Sequence, residues 1–565
     1  MSSAAGIPTP ADAPGSVRAV PARSAAAGLR PSQQQPCPLD RLAGLLGADS
    51  SLSSSHGAVS LSKGEPAVTG VAFDNRQVRP GDLYVGLPGA HTHGSRFARN
   101  AVESGAVAVL TDAAGAELVD EPLGVPLLRA DDPRRAMATA AAEVYGRPAT
   151  KLTMLGVTGT NGKTTTCDLL AAGLRAAGRH CGVIGTLGYF LDGVEIPAER
   201  TTITTPESPD LQALLAIMVE RGADCVVMEV SSHALTLGRV DEITYDVAGF
   251  TNFGRDHLDF HGSLEAYFEA KAGLFTAERA QRAVINIDDP RGPELVARAV
   301  AAGLDLATTS LTDATPAEHE HDHYGCLSYD ATADPVAVRI RTPDGELGFG
   351  LGLPGSYNVA NALTALAMLD RVGIDVPTAA RGLGTVAVPG RLQRVELPGG
   401  PKAYVDFAHT PQAIRSVLTE LAATTRDGKL ITVVGCGGDR DPAKRGPMGA
   451  AAAELSDLVI ITDDNPRSED PVAIRAAALA GAQEQASRQS HVVRILDGGD
   501  RAAAIQLALA DASVQDVVAV LGKGHEHGQE VDGTVLPFDD AEQLASGWWR
   551  RLAGTDPAAR KAGMT

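Results

Sequence analysis

The plainest chemistry in the chain lies in Gly156-Val157-Thr158-Gly159-Thr160-Asn161-Gly162-Lys163-Thr164-Thr165-Thr166. A glycine-rich turn ending in Lys-Thr holds phosphate: its backbone N–H groups and the N-terminus of the following helix converge on anionic oxygens. Lys163 adds a point charge, and the Thr164 hydroxyl can ligate the Mg²⁺ that accompanies a nucleotide. ATP is therefore the expected ligand. Strict Walker spacing would put glycine at 157, where this chain has Val157, with Gly156 one position earlier.

Other residues could extend that site. Glu229 ends the apolar run Cys225-Val226-Val227-Met228, and Ser231-Ser232-His233 follow it closely. A carboxylate at the carboxyl edge of a strand near a phosphate loop reads as a metal ligand, against the alternative of a solvent-facing strand end. The densest polar stretch, Thr251-Asn252-Phe253-Gly254-Arg255-Asp256-His257-Leu258-Asp259-Phe260-His261-Gly262, is either a capped turn or a divalent-cation site, with His257 the expected ligand of a second Mg²⁺. Thr204-Thr205, ahead of Pro206-Glu207-Ser208-Pro209, either caps a helix or binds substrate. Lys271, within the helical stretch from Ser263 to Phe275, reads from the residues alone as a solvated surface lysine, since a bare ammonium beside two divalent ions would be repelled.

Alternating strands and helices must position these groups. A strand over Leu152 to Val157 and a helix over Thr164 to Ala177 flank the phosphate loop. The alternation from about residue 149 to 388 implies a mostly parallel sheet covered on both faces. The stretch Thr308 to Pro335, with His319-Glu320-His321-Asp322-His323, reads as a surface loop. Beyond 389, apolar strands are expected at Lys402 to Phe407, Leu430 to Val434, Leu458 to Thr462, Val492 to Leu496 and Val517 to Leu521, giving an open Rossmann-like sheet without a dinucleotide fingerprint. Polar motifs follow these strands: Asp406-Phe407-Ala408-His409, Gly435-Cys436-Gly437-Gly438-Asp439-Arg440, Asp464-Asn465-Pro466-Arg467 and Gly522-Lys523-Gly524-His525-Glu526. In open α/β sheets ligands bind at those carboxyl ends.

Size and composition narrow the class. At 565 residues the chain calls for more than one core, and three domains are expected: 37–148, 149–388 and 389–552, with tails at 1–36 and 553–565. The first tail is Ala, Pro, Ser, Gly and Gln without apolar period and reads as disordered. Within 37–148, Val71 to Arg76 and Pro80 to Gly89 look like two short strands joined by a Pro-Gly turn. The net charge of −20 argues against a nucleic-acid backbone as partner. No run approaches the roughly 20 apolar residues of a spanning helix, so a cytoplasmic protein, monomeric and without membrane insertion, is expected. The six cysteines are scattered without a C-x-x-C pair and read as reduced, buried hydrophobes, Cys436 included.

In its Thr-Asn-Gly-Lys-Thr-Thr form, the phosphate loop resembles that of the Mur ligase family, ATP-dependent enzymes that join amino acids to the peptidoglycan precursor. The resemblance runs from about residue 37 to 550 and is strongest to the MurE type. It implies three α/β domains: a small N-terminal one for the uridine-linked substrate, a central P-loop domain and a C-terminal Rossmann-like domain for the amino acid. It implies ATP contacts at Gly159, Thr160, Asn161, Gly162, Lys163, Thr164, Thr165, Asn361, Arg391 and Asp406. Contacts to the UDP-muramoyl substrate are implied at Asn75, Thr204, Thr205, Ser231 and Arg239; the family commonly has Asp-Ser-Arg where this chain has Asp74-Asn75-Arg76, and often Gln where it has Leu237. Thr164, Glu229 and His257 would hold two Mg²⁺ ions, and Lys271 would be carbamylated, turning a cation into a carboxylate-like group. Arg440, Asp464, Asn465, Pro466, Arg467, Gly522 and Glu526 match contacts to diaminopimelate, Arg467 pairing with its distal carboxylate. The implied reaction adds diaminopimelate to UDP-N-acetylmuramoyl-L-alanyl-D-glutamate through an acyl phosphate. A lysine-adding relative, a folylpolyglutamate synthase and, from another class, a regulatory ATPase are the alternatives.

Overall fold

The computed structural model describes residues 29–33, 35–47, 67–89, 91–119, 122–198, 204–312, 321–425, 427–439 and 441–554. Three sheets organise them. The first is four-stranded and wholly parallel, ordered Gly70–Ala72, Asp82–Val85, Ala108–Thr111, Leu127–Arg129. The two strands expected to meet across a Pro-Gly turn therefore pair side by side in parallel, and the short 3₁₀ turn Asn75–Gln77 lies in the connection between them. Parallel pairing needs a crossover rather than a hairpin, and an isolated Pro-Gly dipeptide does not reveal that.

Eleven strands make the central sheet. Its parallel heart runs Cys181–Gly185, Cys225–Glu229, Thr153–Thr158, Tyr245–Phe250, Ala280–Asn286, Asp305–Ser310, Asp322–Asp330, and antiparallel strands close both edges. The phosphate-loop strand Thr153–Thr158 lies between Cys225–Glu229 and Tyr245–Phe250, so the carboxyl ends of three strands open onto one place. Gly156 is needed there because a Cβ would come within 2.7 Å of the Tyr245 ring. Helix Lys163–Ala176 packs its apolar face on the sheet and on helices Ser356–Arg371 and Val376–Leu383, burying Leu169, Leu170 and Leu174 completely.

The stretch expected to be a loop, Thr308 to Pro335, instead carries the end of strand Asp305–Ser310 and the whole of Asp322–Asp330. After Leu306 and Ala307, the buried positions of the first are Thr308, Thr309 and Ser310, so its end shows no apolar signal. His323 meets the Thr308 hydroxyl across the pairing at 2.8 Å; His319 and Glu320 lie outside the described residues.

The third sheet is ordered Gln393–Val395, Lys402–Asp406, Val517–Leu521, Leu430–Cys436, Leu458–Asp463, Arg494–Gly499, parallel after the first strand. Four of its strands fall where the apolar runs lie. The fifth begins two residues late, because Val492, 88% exposed, is apolar without being inside. Arg501 and Asp540 form a completely buried two-pronged ion pair at 2.7 and 2.8 Å, and Arg501 Nη2 donates to the Leu521 carbonyl at 3.0 Å. Truncating either partner of such a pair costs about 3–5 kcal/mol.

Residues 29–33, placed by composition in the N-terminal tail, pack against the protein. Leu29 enters the core, Arg30 pairs with Asp82 at 2.6 Å, and the Ser32 and Gln33 N–H groups donate to Glu220. Residues 1–28 lie outside the described residues. All six cysteines are free and buried, and burial pushes the Cys436 thiol up to about 12, which removes it as a nucleophile.

Candidate active site

The carboxyl ends of the central and third sheets face one another across a cleft of about 1330 Å³. Thr160 to Thr165 form part of its wall, and Gly162 (φ 85°) turns the chain into helix Lys163–Ala176 with no side chain capping the helix start. An uncapped first turn leaves N–H donors for an anion. Asn252 grips the loop from below: its side chain accepts from the Asn161 N–H at 2.9 Å and donates to the Asn161 carbonyl at 3.0 Å. Thr251 Oγ1 donates to the same carbonyl at 2.6 Å. These two residues open the polar stretch noted in the sequence; their loop-holding role depends on strand adjacency, which spacing alone does not reveal.

Gly159 sits beneath the loop. A Cβ there would come within 2.0 Å of Thr251 Oγ1, at a φ of 151°. Gly159→Ala should cost about 1–3 kcal/mol through overpacking, seen as a lower melting temperature together with a raised KM for ATP. Unchanged melting and ATP kinetics would show that the loop relaxes around the added carbon.

Lys163 Nζ donates to the Gly159 and Thr160 carbonyls, both at 2.9 Å, so the ammonium is held within the loop. Burial lowers its pKa, against the raising influence of Glu229 and Asp256. Glu229 is the last residue of its strand and 1% exposed, which excludes the solvent-facing alternative. Its Oε1 accepts from Thr164 Oγ1 at 3.0 Å and from the Thr186 N–H at 2.7 Å, and its Oε2 from Thr186 Oγ1 at 3.1 Å. A hydroxyl and a carboxylate in direct contact beside a phosphate loop are hard oxygen donors, a set that fits Mg²⁺. His257 lines the same cleft in a left-handed conformation (φ 52°). Burial, aided by Lys163 and Lys271 and opposed by Asp256, lowers its pKa to about 4, leaving the imidazole neutral and able to bind a metal.

Lys271 is not a surface lysine. It is 1% exposed, its Nζ donates to the Gly159 carbonyl at 2.7 Å and lies 4.4 Å from the Tyr267 ring centre. Helical spacing puts Lys271 on the buried face of helix Leu264–Ala272 with Tyr267, Phe268 and Ala272; its charge is what made it read as a surface residue.

Thr204, Thr205, Ser231 and Arg239 line the cleft as well. Thr205 does not cap the helix Ser208–Glu220; its hydroxyl donates to the Glu229 carbonyl at 2.8 Å and accepts from the Ser231 N–H at 3.1 Å. Arg239 donates to Glu207 and to the Thr205 carbonyl, and the other oxygen of Glu207 holds Arg134 of helix Pro133–Val144. Asn75 does not line the cleft.

Asn361 and Arg391 reach the phosphate loop from different elements. Asn361 Oδ1 is close enough to Gly162 that a Cβ there would lie within 2.5 Å of it. The Arg391 guanidinium lies over the Phe407 ring at 4.5 Å, with Nη2 3.5 Å from Thr164 Oγ1. Asp406 also lines the cleft, but its oxygens accept from the Leu392 and Ala408 N–H groups at 2.7 and 2.8 Å, so it braces the backbone beside Arg391.

On the facing wall stand Asp464, Asn465, Arg467, Gly522 and Glu526. Pro466 sits behind it and its carbonyl packs against Gly438; Arg440 lies outside the described residues. Arg467 has φ 52° and is fastened by the hairpin Gly528–Val531/Thr534–Pro537: its N–H donates to the Glu530 carbonyl at 3.0 Å, and its own carbonyl accepts from Asp532 at 2.8 Å. The sequence carries no sign of this hairpin, and Lys523, part of an expected polar motif but without an expected role, is wholly buried among Asp464, Asn465 and Glu526.

Three family models match the chain: the Mur ligase family catalytic domain over residues 67–145, the Mur ligase middle domain over 157–369 and the Mur ligase glutamate ligase domain over 390–524. The UDP-N-acetylmuramoyl-L-alanyl-D-glutamate--2,6-diaminopimelate ligase of Streptomyces avermitilis is 45% identical over 90% of this chain and 96% of its own. That of Corynebacterium glutamicum is 43% identical over 90% and 97%. A solved structure of a ligase with this name superposes with a TM-score of 0.61 at 30% identity, covering 88% of this chain and 99% of the other. A Mycobacterium tuberculosis folylpolyglutamate synthase complexed with ADP and AMPPCP shares the fold at 21% identity, TM-score 0.55, over 74% and 95%. With matched models covering all three sheets and relatives this similar along nearly the whole length, the chain belongs to the Mur ligase family.

Proposed function

We propose that this protein is the ATP-dependent ligase that adds 2,6-diaminopimelate to UDP-N-acetylmuramoyl-L-alanyl-D-glutamate in peptidoglycan precursor synthesis. Relatives named for that reaction at 43–45% identity over about nine-tenths of the chain support the reading. The observation that carries it within the site is Arg467, a guanidinium set in the wall of the cleft opposite the phosphate loop. Its fork matches a carboxylate and would repel the ammonium that ends a lysine side chain.

The residues divide the work. Lys163 and the open N–H groups of the loop bind the triphosphate, while Arg391, shared between the two sheets' ends, draws the third domain onto it. Thr205, Ser231 and Arg239 orient the acceptor so that its D-glutamyl carboxylate faces the γ-phosphorus. That carboxylate oxygen forms the new P–O bond as the bond to ADP breaks. Arg467 and Glu526 then hold diaminopimelate so that its amine attacks the acyl carbon. The C–N bond forms, the C–O bond to phosphate breaks, and the amine proton is lost. Thr164, Glu229 and His257 would hold Mg²⁺, proposed as two ions, which would supply charge neutralisation for the phosphoryl oxygens. Catalysis is then mostly positioning, and no covalent nucleophile is required. Among the described residues no helix is long and apolar enough to cross a membrane; a cytoplasmic monomer acting on small-molecule substrates is our proposal.

Phosphate release from ATP in the presence of the UDP-muramoyl-dipeptide tests this, with meso-diaminopimelate, LL-diaminopimelate or L-lysine added separately. Release should require the acceptor and one diaminopimelate isomer. Release with lysine alone would overturn the specificity, and release without acceptor would point to the regulatory ATPase instead.

A further inference from the structure

We propose that Lys523, which does not line the cleft, is the positioning residue that sets the amino-acid end of the site by fixing Glu526 and Asn465; this rests on the diaminopimelate reading above. Lys523 is 0% exposed, and a lysine is almost never buried without partners. Its Nζ donates to Asn465 Oδ1 and to Glu526 Oε2, both at 3.0 Å, and lies 3.6 Å from Asp464 Oδ1. All three partners line the cleft.

The arrangement is closed on the protein side. Asn465 Oδ1 also accepts from the Glu530 N–H at 2.9 Å, and Asn465 Nδ2 donates to Glu526 Oε2 at 2.8 Å. That fixes the amide orientation: the oxygen faces two donors and the nitrogen faces the carboxylate. Glu526 therefore spends one oxygen, Oε2, on two protein donors, while among the described residues none takes Oε1. A carboxylate anchored through one oxygen and open at the other presents a fixed acceptor to an ammonium group. Glu526 Oε2 faces the buried Lys523 Nζ at 3.0 Å, which leaves Oε1 as the oxygen turned to the ligand.

Lys523 itself is held from behind. The preceding strand ends at Leu521, whose carbonyl accepts from Arg501, which the buried Asp540 locks in place. Between them Gly522 has φ 114°, and a Cβ would come within 3.0 Å of Asp464 Oδ2. The strand end, the glycine and the lysine form one rigid support, so Lys523 acts on the amino acid through Glu526 and Asn465 without touching it.

The test is Lys523→Met in the full-length protein. Wild-type turnover with diaminopimelate is measured first, so that failure of the reaction assignment is seen independently; if another amine supports turnover, the same measurements are made with it. The KM for the amino acid should rise about 10-fold or more, a cost typical of losing a residue that orients a binding group, while the KM values for ATP and the UDP-muramoyl-dipeptide stay within about 2-fold. In a Glu526→Gln background the same substitution should add little, because interacting residues are non-additive. Equal losses in both backgrounds, or a lower melting temperature with all three KM values unchanged, would overturn the proposal. Should Lys523→Met fail to fold, Lys523→Gln retains a donor for Asn465 Oδ1 and is read by the same cycle.

Discussion

Arg467→Ala should raise the KM for diaminopimelate by roughly 100-fold, equivalent to about 3 kcal/mol, and leave the KM for ATP within about 2-fold. The side chain is partly engaged already: Nη1 donates to the Gly438 carbonyl at 2.6 Å and Nε faces Glu530 Oε2 at 3.2 Å. Among the described residues no acceptor takes Nη2, so one prong of the fork is available to a carboxylate. Removing the guanidinium does two things at once: it deletes the charge-assisted bond and leaves the incoming carboxylate near Glu530, where like charges repel. The backbone should not collapse. Alanine at φ 52° carries the same strain of roughly 1–2 kcal/mol as arginine, and the ties to Glu530 and Asp532 are backbone bonds that survive. ATP meets the phosphate loop of the other sheet, which accounts for the expected split between the two KM values. Unchanged amino-acid kinetics in Arg467→Ala would remove the physical basis for diaminopimelate over lysine.

What made Arg467 legible was a local quartet after an apolar strand; what holds it was not legible at all. The hairpin Gly528–Val531/Thr534–Pro537 leaves Val535 and Leu536 exposed and gives no strong apolar alternation, so its role in fastening Arg467 emerges only in three dimensions. The same division runs through the molecule. Strands with continuous apolar runs, such as Leu430–Cys436 and Val517–Leu521, are buried along their whole length and were readable from composition. Strand Asp305–Ser310 is buried from Leu306 onward, but its last three residues are Thr308, Thr309 and Ser310, so hydrophobicity failed at that end. The phosphate loop was legible because its glycines answer a local backbone demand. The burial of Lys523 and Lys271 was not, because each has a partner distant in sequence: Asn465 lies 58 residues from the first and Gly159 lies 112 from the second.

Lys271→Ala should lose about 10–100-fold in turnover, the range for losing a group that supports metal ligands, and should recover in part when formate or acetate is supplied. The unmodified side chain is an awkward tenant. It is buried, and both burial and the nearby Lys163 ammonium hold its pKa well below the ordinary lysine value. An amine so placed is more readily neutral, and a neutral amine can add to CO₂: the new N–C bond forms, a proton is lost, and the nitrogen ends in a carbamate bearing negative charge. The exchange of a cation for an anion is what a site meant to hold Mg²⁺ beside Lys163 requires, since a second ammonium would oppose the metal. The competing role is a structural tie, with Nζ donating to the Gly159 carbonyl at 2.7 Å to fix the loop. The two roles answer differently to rescue. A carbamate is replaced by a small carboxylate, whereas a lost ammonium donor is replaced by a small alkylamine. Recovery with methylamine and not with acetate, or full activity in the unrescued variant, would assign Lys271 to the loop tie and end the carbamate proposal.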